Sequence, residues 1–376
     1  MDFRPTPALP AAKDRRARFA AAYRVLESAI EAHAFPGCAF GVLAHDATVL
    51  LDALGRFTYE EDSPTVTPET VYDVASLTKA VATTALTMLL WQRGQLDLDM
   101  PLGEFLPGFV LGRDPAERAR HVHLRHLLAH NSGLPGYVEF FRTQTTPSAL
   151  MRACLELPLE AEPGARTEYS DPGFILLGKA IEVHTREHLA ALARREVFHP
   201  LGLQATEFCP PHAVHSLIPP TEEDRSFRRR RIQGEVQDEN AWVLHGVSGH
   251  AGLFSSVPDL LRFARAILQV GTGATAPAQS APLFQAATID YFARRQGPEG
   301  SSRALGWDTP SANSSAGRHF SPRSIGHLGY SGCSLWIDLD AAVAVVLLTN
   351  RTWPDRASQL IRSVRPALHD AVREAL

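Results

Sequence analysis

Cysteine is scarce in this chain of 376 residues, with four in all. Cys38, Cys154, Cys209 and Cys333 stand far apart, and no two have CxxC spacing. That excludes a disulfide framework and a zinc knuckle, and leaves free buried thiols as the expectation. Long hydrophobic runs are missing too. No stretch approaches the roughly 18 uncharged apolar residues that a membrane helix needs. The opening MDFRPTPALPAAKDRRARFAAAYRVL has arginines where a secretory leader carries its apolar segment, so a soluble, cytoplasmic protein is expected. Excess charge of one sign is absent: 37 Lys and Arg against 41 Asp and Glu give a net charge of −4. Such a balance offers no field for nucleic acid or for an anionic membrane. The one basic run, Arg228 to Arg231, reads as a solvated loop or strand edge.

Several catalytic signatures are also lacking. There is no P-loop, and no G-x-G-x-x-G follows a strand, so no nucleotide cofactor is expected. No G-x-S-x-G elbow occurs. Gly329-Tyr330-Ser331-Gly332-Cys333 comes nearest and lacks the last glycine, which argues against an α/β-hydrolase. His121, His123, His126 and His130 crowd together, but the segment His126-Leu127-Leu128-Ala129-His130 has no glutamate after its first histidine, so no metal site is expected. Asp238-Glu239-Asn240 reads as a turn rather than a cation site.

What is present suits a large core. The chain is 45% hydrophobic and long enough for about two or three domains. Residues 2–12, rich in Pro and Ala, read as a loose lead-in. Phe19, Tyr23, Leu26 and Ile30 recur at helical spacing up to Pro36-Gly37. Residues 38–44 and 48–51 then form two apolar runs around a polar break, a β-hairpin pattern. The C-terminal end mirrors this. Residues 334–338 and 342–348 flank Asp340, and residues 356–375 read as a closing helix with Pro366 inside it. Between residues 77 and 203 helical patterns dominate. The expected architecture is therefore α/β of the α+β kind. An antiparallel sheet from both chain ends (1–75 and 240–376) is flanked by terminal helices, and a mainly helical lobe (76–239) is inserted between them with the active site at their junction. Residues 270–282 and 297–325, rich in Gly, Ser, Ala and Pro, read as surface loops. Ser256-Val257-Pro258-Asp259 reads as a capping box opening a helix over 260–268.

Three short segments carry chemistry. Val74-Ala75-Ser76-Leu77-Thr78-Lys79 opens a long helical stretch that stops at Gly94. Ser76 would sit near a helix N-terminus with Lys79 on the same face one turn on. A serine hydroxyl is a poor nucleophile until a neighbour takes its proton, and this spacing supplies one. Taken alone, the same pattern also fits a capping serine and a surface lysine. Glu168-Tyr169-Ser170-Asp171-Pro172-Gly173 places a tyrosine on a loop before an apolar helix. Beside an ammonium it could relay protons, and otherwise Asp171 is a helix cap. Gly326-His327-Leu328-Gly329-Tyr330-Ser331-Gly332 leads into a strand. Its small residues either let a substrate lie against backbone N–H groups or simply make a hairpin turn.

In this order, S-x-x-K, then Y-x-D, then H-x-G, the chain resembles the penicillin-recognising enzymes. It is similar to the class C β-lactamase and penicillin-binding-protein family, with its DD-peptidases, D-aminopeptidases and family VIII carboxylesterases. Segments Gly94 to Asp99 with Pro101-Leu102, Leu127 to Pro135 and Gly249 to Ser255 look like the same family, from about residue 20 onward. The resemblance implies a β-lactamase/transpeptidase-like fold and a serine hydrolase acting through an acyl-enzyme. Ser76 would be the nucleophile, with Lys79 and Tyr169 sharing general base and acid. The backbone N–H groups of Ser76 and Tyr330 would form the oxyanion hole. Asp171, His327 and Gly329 would line the substrate pocket.

Two departures bear on substrate. Asp171 stands where β-lactamases of this type carry asparagine, and a carboxylate cannot donate to an acyl-amide oxygen. His327 stands where they carry lysine, so a β-lactam carboxylate would meet a largely neutral ring at pH 7. Both favour small esters or amides as substrate. The alternatives are a DD-peptidase, a D-aminopeptidase or a weak β-lactamase, and a catalytically silent relative with a binding or assembly role. Tyr137, Phe140 and Phe141 either line the pocket mouth or pack inside.

Overall fold

The computed structural model describes residues 9, 11–111, 116–271 and 282–376. Most of the Pro/Ala lead-in and most of the stretch 270–282 fall outside them. The central sheet has five antiparallel strands: β1 (Gly37–Ala44), β2 (Ala47–Gly55), β3 (Ile325–Leu328), β4 (Ser334–Asp338) and β5 (Val343–Thr349), in the order β2-β1-β5-β4-β3. The N-terminal and C-terminal hairpins thus join along β1 and β5, with Cys38 opposite Thr349 and Ala44 opposite Val343.

β1 and β5 are buried along their whole length, because both faces of the sheet are covered. Side chains alternate between faces with a period of two. Phe40, Val42, Val345 and Leu347 point to one core, which they share with Tyr23 and Leu26 of the Ala20–Glu31 helix and Leu368 of the Ile361–Glu374 helix. Leu43, Val346 and Leu348 point to the other core, beneath the Val257–Gly271 helix. That helix crosses close to the strand: a Cβ on Gly41 would stand 2.7 Å from Val257 Cγ1. Double-sided burial explains why these strands read as unbroken apolar runs rather than alternating ones.

The segment around residues 79–203 is built from helices, chiefly Lys79–Thr84 (of π pitch) with Ala85–Gln92, Pro147–Leu155 and Asp171–Thr185. A second, three-stranded sheet links it to the rest: Tyr72–Asp73 pairs with Leu253–Ser255, which pairs with Glu207–Phe208.

Several expectations need correction. The helix expected over 260–268 begins at Val257, and Asp259 does not close a capping box. Its carboxylate instead accepts from Ala205 N–H at 2.7 Å and the Thr206 hydroxyl at 2.9 Å, tying the helix to a neighbouring loop. Residues 297–325 are not a plain surface loop, since Ala304, Leu305 and Trp307 are buried. In the basic run, Arg228 is buried beside Asp224 and donates to the carbonyls of Val236 and Gln237, while Arg230 and Arg231 lie at a strand edge paired with Glu235 and Glu223. All four cysteines are free, but Cys209 is exposed. No described helix is long and apolar enough to cross a membrane.

Candidate active site

Ser76 is presented by a strained turn. The Val74 N–H donates to the Leu253 carbonyl at 3.0 Å, and the chain then enters the left-handed region at Ala75, φ +47°. A non-glycine residue there costs on the order of 1–3 kcal/mol. Hydrogen bonds hold it: Ala75 N–H donates to Asp73 Oδ1 at 2.8 Å, and the Thr78 hydroxyl donates to the Ala75 carbonyl at 2.6 Å. Burial raises the Asp73 carboxyl to about 6. The turn delivers Ser76 to the entrance of the Lys79–Thr84 segment.

Lys79 is fully buried, and its ammonium has three acceptors: Ser76 Oγ at 2.9 Å, Asp171 Oδ1 at 2.6 Å and the His250 carbonyl at 3.1 Å. Burial pulls its pKa down. The charge of Asp171, then that of Tyr169 and their hydrogen bonds, outweigh burial and hold the amine above its ordinary value. With its three N–H bonds directed at these acceptors, Nζ offers no lone pair. Close packing brings the His250 carbonyl here, because a Cβ on Gly249 would stand 2.1 Å from the Phe174 carbonyl. The Asp171→Asn variant tests this balance. Without the carboxylate, burial dominates and the amine loses its proton at lower pH. The alkaline limb of kcat/KM is expected to move down by at least about one unit, measured as a pH–rate profile from pH 6 to 10.5. An unmoved limb would show that Asp171 does not govern Lys79.

Tyr169 is set by its splint. The His130 carbonyl accepts from Glu168 N–H at 2.8 Å, His130 Nδ1 accepts from Ser170 N–H at 2.9 Å, and the Asn131 carbonyl accepts from Gly164 N–H at 2.7 Å. The tyrosine ring packs against His130 at 4.4 Å, with Lys79 Nζ at 4.8 Å and Arg303 Cζ at 5.1 Å from its centroid. Ser170, not Asp171, caps the following helix by accepting from Gly173 N–H at 3.0 Å. Asp171 is thereby left in the first turn, facing Lys79.

The turn between β3 and β4 completes the group. A Cβ on Gly329 would stand 2.4 Å from the Val74 carbonyl, and the Ser331 hydroxyl donates to the Asp73 carbonyl at 2.8 Å. The turn therefore lies against the chain that leads to Ser76. Among the described residues, neither the Ser76 N–H nor the Tyr330 N–H has an acceptor. His327 Nδ1 lies 2.9 Å from the Leu328 carbonyl. A carbonyl only accepts, so the ring proton is assigned to Nδ1, and the buried Nε2, which has no partner among the described residues, is an acceptor. Burial, then the charges of Lys79 and Arg303, push His327 well below its ordinary value, so the ring is neutral.

Ser76, Tyr169, Asp171, His327, Gly329 and Tyr330 line one cleft of about 850 Å³, with Tyr137 at its edge and Lys79 buried behind Ser76. Phe140 and Phe141 are packed inside and do not line the mouth. His126 turns Nδ1 to the His123 N–H, closing a helix start. Asp238 caps the Glu239–Val243 helix and contacts His250 at 2.9 Å, while Glu239 pairs with Arg356. Sequence reasoning gave no role to Arg303, which lies in a Gly/Ser-rich stretch, or to Arg365. For Arg365 a signal existed: it interrupts the buried stripe of Ile361, Val364, Leu368 and Val372.

A β-lactamase/transpeptidase-like fold with a serine–lysine pair at the floor of a cleft defines a class of serine hydrolases. The chain belongs to the Beta-lactamase family, whose model matches residues 22–368. It is 29% identical over 309 residues to a Salmonella typhimurium protein named as a D-alanyl-D-alanine carboxypeptidase, covering 76% of this chain and 70% of that one. Among solved structures it is similar to EstCE1, a hydrolase with promiscuous acyltransferase activity (TM-score 0.75, 22% identity, 96% of this chain and 100% of that one). It is also similar to a penicillin-binding-protein homologue from Caulobacter crescentus (0.74, 19%, 98% and 99%) and a class C β-lactamase from Rhodobacter sphaeroides (0.70, 20%, 94% and 99%). These structural likenesses concern the fold.

Proposed function

We propose that the protein hydrolyses small esters or amides through an acyl-enzyme on Ser76, in a cleft between the sheet lobe and the helical lobe. The observation that carries the proposal is Lys79 Nζ, buried and 2.9 Å from Ser76 Oγ, at the floor of a cleft also lined by Tyr169 and Tyr330. With the amine held protonated, Tyr169 acting as its phenolate is left to take the Ser76 proton and become the neutral phenol, and the Lys79 ammonium steadies the negative oxygen as it forms. Ser76 Oγ then bonds to the substrate carbonyl carbon. The resulting oxyanion faces the N–H groups of Ser76 and Tyr330. The leaving group departs with the proton held by Tyr169, and water attacks the acyl-enzyme by the same route in reverse. Neutral His327 presents an acceptor, which argues against a carboxylate at that point and so against β-lactams.

The test is a panel of p-nitrophenyl acetate and butyrate, a chromogenic cephalosporin and a D-alanyl-D-alanine peptide, with intact mass after a fluorophosphonate. Ester turnover, slow or no cephalosporin turnover, and one adduct per chain are expected. Both turnover and adduct should vanish in Ser76→Ala. Labelling that survives the substitution would sink the assignment. A peptidase releasing a C-terminal D-residue is the second reading. It is favoured by Arg303, whose nearest carboxylate, Asp308, is 4.0 Å away, and by Arg362, which lines the cleft and whose side chain has no partner among the described residues. D-Alanine release faster than ester turnover would select it.

A further inference from the structure

Arg365 is a buried cation with no anion beside it among the described residues. It sits on the Ile361–Glu374 helix, 6% exposed, and its guanidinium meets none of their carboxylates. Its donors go to three carbonyls of one turn: Nη2 to Gly329 at 2.6 Å and to Cys333 at 2.8 Å, and Nε to Gly332 at 3.2 Å. Burial lowers its pKa to about 10, which still leaves it charged. Taking a guanidinium out of water without a counter-charge is costly. A tie between helix and sheet needs no charge, because apolar side chains supply one more cheaply. The placement of the charge therefore calls for another reason.

The Gly329 carbonyl and the Tyr330 N–H belong to the same planar peptide unit and point in opposite directions. A cation that fixes the Gly329 carbonyl fixes with it the direction of the Tyr330 N–H, and Tyr330 lines the cleft. The cation also polarises the unit, since a charge-assisted bond to the oxygen makes the N–H a stronger donor. The rest of the turn is held the same way. The Tyr330 carbonyl accepts from Arg351 Nε at 2.8 Å, and the Ser331 carbonyl from Arg351 N–H at 2.9 Å and the Thr349 hydroxyl at 3.1 Å. All five carbonyls from Gly329 to Cys333 are thus engaged by protein donors, and the Tyr330 N–H has no acceptor among the described residues.

We propose that Arg365 is a positioning residue for catalysis: through the Gly329 carbonyl it orients and strengthens the Tyr330 N–H as an oxyanion donor. The inference rests on the acyl-serine reading and adds to it a residue that borders the cleft but whose hydrogen bonds go to the carbonyls of the turn. Its effect belongs to the charge developing on the substrate oxygen, so it acts on the transition state and not on ground-state binding.

The test compares wild type with Arg365→Met and Arg365→Lys. It measures kcat and KM for p-nitrophenyl butyrate, the affinity of an arylboronic acid whose serine adduct carries a tetrahedral oxyanion, and the thermal midpoint. In Arg365→Met, kcat is expected to fall at least about 30-fold with KM within about threefold, and boronate affinity to fall in step with kcat. Arg365→Lys, which keeps the charge on fewer donors, recovers part of both. A kcat within threefold of wild type in Arg365→Met overturns the proposal. So does a fall in kcat and thermal midpoint that leaves boronate affinity intact, which is the mark of a purely structural tie. Where the methionine variant does not fold, the lysine variant decides by the same two readouts. Fluorophosphonate labelling of wild-type Ser76 is the control: without an adduct there, the acyl-serine reading has failed, whatever Arg365 does.

Discussion

Lys79→Met is expected to lower kcat/KM for p-nitrophenyl butyrate by about 10³-fold or more, because it removes the only cation in contact with Ser76 Oγ among the described residues. Methionine has similar length and fits a buried position, so the loss reflects chemistry and not a cavity. A cost in stability arises for a separate reason. Asp171 would keep its charge beside an apolar side chain, and breaking such a pair from one side costs about 3 kcal/mol. Lys79→Met/Asp171→Asn removes both charges. It is expected to regain most of that stability and none of the activity. Steady-state kinetics and urea unfolding of the single and double variants separate the two effects. Activity of Lys79→Met within tenfold of wild type would remove the lysine from the mechanism.

The second large effect is acid lability. His130, His327 and His369 are buried and held neutral. Burial pushes His369 to about 4, and the first two lie well below the ordinary value, with Arg303 and Lys79 adding to burial. The unfolded chain binds a proton at each below about pH 6.5, and the folded chain does not. Stability is therefore lost as pH falls through 6.5, by about 2 kcal/mol per histidine at pH 5. Asp73 works the other way, because its raised carboxyl takes up a proton on the folded side first and returns about 1 kcal/mol. The net loss of about 5 kcal/mol is comparable to the whole stability of many domains. A fall in thermal midpoint of about 6 °C from pH 7 to pH 5 is expected. His369→Gln, which lies outside the cleft lining, should flatten the profile by roughly one proton's share. A midpoint unchanged between these pH values would show that the three rings are protonated in the folded state.

The contrast between Asp171 and Asp259 shows how much of the site was legible. Both follow a serine or lie near one at a helix start, and either could have been a cap. Asp259 reaches a neighbouring loop and Asp171 reaches Lys79. Side-chain direction at a helix end depends on what packs against it, which no local pattern encodes. Arg303 shows the same limit. It lies in a stretch whose composition says loop, yet Trp307 of that stretch is buried and the Arg303 guanidinium lies over the Tyr169 ring.

By itself the sequence determined the elements whose signal is local. These are the two terminal hairpins, the first and last helices, and the three short segments around Ser76, Tyr169 and His327 with the family they resemble. Periodicity and turn chemistry act over a few residues, so they can be read in place. Only the tertiary structure decided that Lys79 is saturated by three acceptors, one of them the carbonyl of His250, 171 residues away. It alone decided that His327 presents an acceptor and that a closing-helix arginine reaches the Gly329 peptide. Protonation and polarity in a buried cleft are set by burial and by charges from distant parts of the chain, and those neighbours exist only once the chain has folded.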